Sequence, residues 1–160
     1  MSVWGALAGG VMGTIVLTTA MRAGSELRLT RIDIPFLLGT ALTENRVRAK
    51  AVGYALHFLF GLAFALAYYL VFVAIDRSGW WIGALFGLVH GLFAGTALVN
   101  ILLPVVHPRM ANPLTAAGTS PFLEAPGFLL LNYGRSTPLV TFAAHIAYGT
   151  LVGGFASLGS

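Results

Sequence analysis

Residues 80–103 read WWIGALFGLVHGLFAGTALVNILL, a run of 24 residues in which His90 is the only ionisable side chain. A helix needs about 20 mostly apolar residues to cross the roughly 30 Å hydrocarbon layer of a bilayer. The run therefore predicts a transmembrane helix. Three more stretches of similar length and character lie at about 3–21, 51–75 and 139–158.

The composition supports a membrane protein. Hydrophobic residues make up 58% of the 160 residues, charged residues only 9%, and the mean hydropathy is +0.86. Soluble domains carry about 25% charged residues, so this composition excludes a soluble enzyme, a DNA-binding domain and a disordered regulator. The absence of cysteine excludes disulfides and thiolate metal sites. We predict an all-α, four-helix membrane bundle that forms a single domain over 1–160 and has no nucleic-acid partner.

The basic residues are distributed unevenly between the two sides of the predicted membrane. Four spans place the loops 22–50 and 104–138 on one side, and the termini and the 76–79 turn on the other. Arg77 is the only basic residue on the side of the termini. The positive-inside rule therefore predicts cytoplasmic loops and external termini in a bacterial inner membrane, with anionic lipid head groups as partners of the loops. The basic residues on the side of the loops are Arg22, Arg28, Arg31, Arg46, Arg48, Lys50, Arg109 and Arg135.

Small residues recur every four positions in the spans, in the pattern of a glycine zipper. Such stripes let helix backbones approach closely in lipid, where little hydrophobic force drives association. The partner is either a neighbouring helix of the same bundle or a second copy in a homodimer or larger complex. The predicted packing residues are Gly83, Gly87, Gly91, Gly95, Gly149 and Gly153.

The two halves of the chain resemble each other. ALHFLFG at 55–61 aligns with AAHIAYG at 143–149, so that His57 matches His145. DIPFLLG at 33–39 likewise resembles EAPGFLL at 124–130. We predict two helix-pair repeats related by an axis along the membrane normal. Asp33 and Glu124 would each begin a short interfacial helix, and Thr43 with Glu44 would cap the helix leading into the second span.

Three intramembrane histidines are candidate ligand or metal residues, because an ionisable group is costly in a bilayer. The repeat places His57 and His145 at equal depth and facing each other, with His90 near the middle of the third span. Two facing imidazoles suit the axial ligation of haem b, and with Asp33 and Glu124 they suit a divalent metal. They also suit a proton relay or a polar cargo. Purely structural imidazoles and no cofactor are the simpler alternative.

A second candidate site lies in the predicted cytoplasmic loops. Arg135 stands close to Asn132 and Tyr133, and Arg109 lies in the same long loop. Guanidinium groups beside polar side chains suit an anion or a lipid head group.

Three segments resemble a family of small bacterial four-span membrane proteins of unknown function. They are Asp33-Ile-Pro-Phe-Leu-Leu-Gly-Thr, His107-Pro-Arg-Met and Leu131-Asn-Tyr-Gly-Arg. The resemblance implies a bacterial inner membrane and four helices, and no activity, substrate or cofactor.

These observations favour a non-enzymatic membrane protein, either an accessory or scaffold subunit or a small-molecule binder. The alternatives are a redox protein that binds haem or metal through His57 and His145, and a small transporter that works as a dimer.

Overall fold

The computed structural model describes residues 1–111 and 123–158, and within these ranges every regular element is a helix. Four helices are long and apolar enough to span a membrane, the third being the continuous unit Trp80–Val106. The predicted all-α, four-span class is confirmed; the part of the loop 104–138 at 112–122 lies outside the described residues. The elements are α1 (Val3–Glu26), α2 (Ile34–Gly39), α3 (Arg46–Ala74), α4 (Trp80–Phe93), a π-helical segment (Ala94–Leu102), α5 (Leu103–Val106), a 3-10 helix (Phe128–Tyr133) and α6 (Thr137–Ser157).

The helices extend further than the apolar stretches predicted. Helix α3 begins at Arg46 rather than near residue 51, because the side chain of Asn45 accepts hydrogen bonds from the backbone of Val47 and Arg48. The predicted cap at Thr43 and Glu44 is therefore wrong. Hydropathy identifies only the hydrocarbon-spanning part of a helix, whereas a local cap decides where its backbone starts.

Helix α6 lies at the centre of the bundle, packed against α1 on one side and α4 on the other, and α1 also packs against α3. A Cβ atom at Gly9 would lie 2.8 Å from Cα of Val152, and one at Gly149 would lie 2.9 Å from Cα of Gly87. Only glycine allows backbones to approach this closely. Of the predicted packing residues, Gly83, Gly87, Gly149 and Gly153 lie at the α4–α6 contact, Gly91 faces Phe142 and His145 of α6, and Gly95 faces Leu129.

Helices α3 and α4 follow each other in the chain, yet aromatic side chains make most of their contact. Phe72 stacks on Phe86 with ring centroids 5.3 Å apart, and Tyr68 meets the Phe86 ring edge-on at 5.7 Å. Large rings hold two helices further apart than glycines do. The bundle is therefore tight along α1, α6 and α4 and looser between α3 and α4.

The third span widens into a π-helix over Ala94–Leu102, just before Pro104. Proline lacks an amide hydrogen and its ring collides with the carbonyl four residues earlier, so the preceding turn cannot stay regular. The side-chain amide of Asn100 donates to the carbonyls of Gly95 and Thr96, at 3.0 Å each. These bonds satisfy carbonyls inside the widened segment.

The two halves differ where a repeat would make them alike. Asp33 caps α2 by accepting from the backbone of Phe36 at 2.9 Å. Its counterpart Glu124 caps nothing, since the 3-10 helix begins after Gly127; that expectation is wrong. Helices α1 and α6 also pack closely, whereas their counterparts α4 and α3 stay apart. The repeat itself remains a prediction.

The outside of the bundle is apolar, with exposed side chains such as Leu70, Leu85 and Val105. In water so large an apolar surface would cause aggregation. In a bilayer it faces lipid tails.

We expect Gly153→Ala to lower stability, because its new Cβ would lie 2.9 Å from Cα of Gly83 and overpacking costs about 1–3 kcal/mol. Gly154→Ala is the matched control on the next residue, where the nearest contact is Cβ of Trp80 at 3.8 Å. Thermal unfolding in detergent tests this. Equal melting temperatures would show that the α4–α6 contact does not need glycine.

Candidate ligand cavity with three imidazoles

A cavity of about 410 Å³ lies on the looser side of the bundle, between α3 and the π-helical segment. Small-molecule pockets usually measure about 300–1,000 Å³. Most of the wall is apolar, with Phe60 and Phe64 from α3 opposite Leu98 and Val99 from the π-helical segment. The widened segment thus forms one wall of the cavity.

Histidines from three helices line this cavity: His57 from α3, His90 from α4 and His145 from α6. The rings of His90 and His145 meet edge-to-face with centroids 4.8 Å apart. The sequence predicted that His57 and His145 face the interior, and both do line the cavity. The ring packed directly against His145 is nevertheless His90, which the repeat did not single out.

His57 is held by the hydroxyl of Thr18 on α1. Its Nδ1 lies 3.1 Å from Oγ1 of Thr18, and that hydroxyl donates its only proton to the carbonyl of Thr14 at 2.6 Å. Thr18 must therefore accept from His57, so Nδ1 of His57 carries the hydrogen. The remaining nitrogen, Nε2, is then a hydrogen-bond acceptor.

His145 is fixed in the same tautomer by its own helix. Its Nδ1 lies 2.8 Å from the carbonyl oxygen of Thr141, which can only accept. The residue is 7% exposed, and Thr141 beside it is 2% exposed. Within residues 1–111 and 123–158, the hydroxyl of Thr141 is a buried polar atom without a hydrogen-bond partner.

His90 takes part in an aromatic cluster at the end of the cavity nearest the middle of the bundle. Its Nδ1 lies 3.2 Å from the hydroxyl of Tyr68, and the Phe64 ring lies against it with centroids 3.9 Å apart. His90 therefore contacts α3 through Tyr68 and Phe64, and α6 through His145.

A second pocket, of about 230 Å³, adjoins the cavity at His57. It differs in character, because it contains two ion pairs. Arg22 bonds to Glu26 at 2.8 Å and Lys50 bonds to Asp33 at 3.0 Å. The predicted ligand Asp33 therefore neutralises a lysine at the mouth of this polar pocket.

The predicted metal set does not assemble. Asp33 pairs with Lys50, and Glu124 lies 3.6 Å from Arg31. In the described part of the chain, no group of three or more histidine, cysteine, aspartate or glutamate side chains is arranged to hold a metal ion. Each of these acids instead pairs with a basic side chain that lies nearby in the structure.

The predicted anion site is also dispersed. The side-chain amide of Asn132 donates to the carbonyl of Ala125 at 2.9 Å. The hydroxyl of Tyr133 donates to the carbonyl of Glu124 at 2.7 Å, and burial raises the pKa of Tyr133 to about 12, with the Glu124 carboxylate adding to the shift. Arg135 is exposed. Asn132 and Tyr133 thus hold the loop together instead of facing an anion.

Arg109, the fourth residue of that set, belongs to a different cluster, centred on His107. Nε2 of His107 donates to the carbonyl of Leu37 at 3.0 Å, and Nδ1 accepts from the backbone of Arg109 at 3.2 Å. The Arg109 guanidinium donates to the carbonyl of Thr40 at 2.7 Å and pairs with Glu44 at 3.3 Å. We call these residues the His107 clasp; they join the end of the third span to α2.

Sequence reasoning did not select His107 as a site residue. It follows the last helical turn of the third span, and the carbonyl that accepts its Nε2 hydrogen lies 70 residues away in sequence. No spacing motif reports such a contact.

The His107 clasp should weaken in mild acid. Burial is the main cause that lowers the pKa of His107; it outweighs the bond to Leu37, and the Arg109 charge lowers the pKa further. The unfolded chain, with a His pKa of about 6.5, takes up the proton first. The stability that His107 contributes is therefore present above about pH 6.5 and lost as the pH falls toward the folded pKa.

We expect the melting temperature of the wild type to fall more steeply than that of His107→Gln between about pH 6.5 and 5. The other histidines are common to both proteins, so the difference in slope isolates residue 107. Parallel pH profiles would contradict this assignment.

Comparisons of the chain with protein-family models, with curated proteins and with solved structures gave no match. Functional inference therefore depends on the chemistry of the cavity itself.

Proposed function

We propose that the protein lies in a bacterial inner membrane, with the loops 22–50 and 104–138 in the cytoplasm and both termini outside. Eight of its nine basic residues lie on the side of these loops, which the positive-inside rule assigns to the cytoplasm. Trp4, Trp80 and Trp81 are 78%, 65% and 54% exposed on the opposite side. Exposed indoles anchor well at a membrane–water interface.

Single-cysteine variants test this orientation, because the chain has no cysteine of its own. Ser78→Cys should react with an impermeant maleimide in intact cells, since it lies in the turn between the second and third spans. Ser25→Cys should react only after the membrane is opened. Both positions are half-buried, so they form a matched pair, and the reverse labelling pattern would contradict the orientation.

We propose that the biochemical role is non-enzymatic binding of a small, mostly apolar molecule within the membrane. The cavity between α3 and the π-helical segment is the observation that carries this proposal, because its size and apolar walls match a ligand pocket. This binding role is compatible with a homodimer and with an accessory subunit of a larger complex.

The rim of the cavity connects it with the lipid-facing surface. Phe60, Phe93, Leu102 and Val106 line the cavity and are also exposed on the outside of the bundle. A molecule dissolved in the bilayer would therefore enter between α3 and the third span without crossing a polar layer. This entry route favours a ligand drawn from the membrane.

A photoreactive hydrocarbon tests this binding role directly. Dodecane carrying one diazirine should label the cavity walls at Phe60–Phe64 in protein held in lipid nanodiscs, and excess dodecane should suppress that labelling. Leu98→Trp should reduce the labelling about fivefold or more, because the indole would occupy the space that the hydrocarbon needs. Binding of the hydrocarbon would then carry an overpacking cost of about 1–3 kcal/mol.

Leu92→Trp is the matched control for Leu98→Trp. It makes the same substitution on the same span, but Leu92 is 50% exposed on the lipid-facing surface. Labelling that no competitor suppresses, or that both variants reduce equally, would show that only surface lipid contacts exist and would eliminate the proposed function.

Haem binding is the second candidate. The observation that favours it is the Nδ1 bond of His145 to a backbone carbonyl, since metal-ligating histidines usually make this bond through their other nitrogen. The absorption spectrum of the purified protein distinguishes a haem protein from a binder of colourless lipids.

A further inference from the structure

We infer that the cavity binds a neutral amphiphile whose polar head carries hydroxyl groups, and that Nε2 of His57 and Nε2 of His145 accept their hydrogen bonds. This inference rests on the proposed binding role and names the chemical class of its ligand. Three features of the cavity carry it: the tautomers of the two imidazoles, the absence of charge from the wall, and an unpartnered hydroxyl.

The tautomers of the two imidazoles determine which hydrogen-bonding groups the polar head of the ligand must carry. Nδ1–H of His57 is used by Thr18, and Nδ1–H of His145 is used by the carbonyl of Thr141. Each Nε2 therefore presents a lone pair, and no polar atom of the described residues is bonded to it. Two unused hydrogen-bond acceptors in an apolar wall favour a ligand that can donate hydrogen bonds.

The wall also limits the charge of the head. No aspartate, glutamate, lysine or arginine is among the described residues that line the cavity, so a charged head would be desolvated there without a counter-ion, which is costly. By the same reasoning the two imidazoles are neutral. Carboxylates, phosphates and ammonium groups are therefore disfavoured, whereas alcohols and diols fit.

Thr141 also lines the cavity. It lies one helical turn before His145, and its hydroxyl has no partner among the described residues. Threonine hydroxyls inside a helix usually bond to a carbonyl in the preceding turn, as Thr14 does to Gly10 at 2.7 Å. Thr141 thus adds one more unused polar group to a cavity whose wall is mostly apolar.

The adjoining polar pocket supplies the contrasting binding mode. Arg22 and Lys50 line it together with His57, and each is paired with an acid, Glu26 or Asp33. An anionic head would bind there by replacing one of these acids as the partner of a cation, and only its tail would lie near the imidazoles. A site for a neutral head and a site for an anionic head therefore differ in which competitor binds more tightly and in which substitution weakens its binding.

The experiment compares three competitors with the same 12-carbon chain against the dodecane diazirine label. The first is 1,2-dodecanediol, which has two donors. The second is 1,2-dimethoxydodecane, which keeps both oxygens as acceptors and has no donor. The third is dodecanoate, which carries a charge. We expect the diol to compete at least about tenfold more tightly than the dimethoxy compound, since each well-formed hydrogen bond in such a site contributes about this factor.

Variants at the two histidines test whether the imidazoles accept hydrogen bonds from the polar head of the ligand. His57→Phe and His145→Phe keep a planar ring and remove the acceptor, so each should reduce the preference for the diol by about tenfold. His57→Gln retains an acceptor oxygen and should keep part of the preference. It also covers the case in which a phenylalanine variant does not fold, and the comparison on the wild type stands without any variant.

The outcomes separate the two proposals. Equal competition by the diol and the dimethoxy compound would overturn the hydroxyl assignment and leave the binding role intact. Tighter binding of dodecanoate, lost in Lys50→Gln, would overturn it in favour of the polar pocket. Failure of every competitor, dodecane included, would overturn the binding role itself.

Discussion

Close backbone contact on both sides of α6 is the constraint from which the rest of the bundle follows. Helices in lipid associate mainly through packing, because the tails around them are as apolar as their own side chains. Helix α6 presents Gly149 and Gly153 to α4 and receives Gly5 and Gly9 from α1. These contacts fix three spans tightly. Helix α3 packs instead against α1 and α2, and it meets α4 mainly through aromatic rings. The cavity lies in the looser space that results.

Polar side chains inside the spans are mostly satisfied by the nearest carbonyl. Thr14, Thr18 and Thr150 each donate to the carbonyl four residues earlier, which removes the cost of a free hydroxyl in hydrocarbon. The exceptions lie in the cavity wall. There the hydroxyl of Thr141 and Nε2 of His57 and His145 have no hydrogen-bond partner among the described residues. The cavity therefore combines apolar walls with a few unused polar groups.

The sequence predicted those features that depend on short windows of residues. The four spans follow from hydropathy alone, and the capping of α2 by Asp33 follows from an acid placed just before Pro35. The pairing of His90 with His145 was missed, because it depends on which helix packs against α4, and the spacing of the glycines does not identify α6 as that helix. Glu124 was given the role of Asp33 because the two segments look alike. The neighbouring Gly127, at φ 73°, starts the helix later.

The His107 clasp shows the same limit at longer range. Its bonds reach backbone atoms of α2, and a pattern of side chains contains no information about which carbonyl a distant imidazole will meet. The glycine stripe of the third span was an intermediate case: spacing predicted close packing but not the partner. The structure supplies α6 as the neighbour of Gly83 and Gly87.

The π-helical segment has a mechanical consequence. An α-helix turns by about 100° per residue, so the wider turns before Pro104 set the direction in which everything after them points. The same segment forms a wall of the cavity and, a few residues later, delivers His107 to the carbonyl of Leu37. If Ala94–Leu102 tightened into a regular α-helix, the cavity wall would turn and the imidazole would rotate away from α2. The conformation of this one helical segment therefore affects both the volume of the cavity and the attachment of the loops.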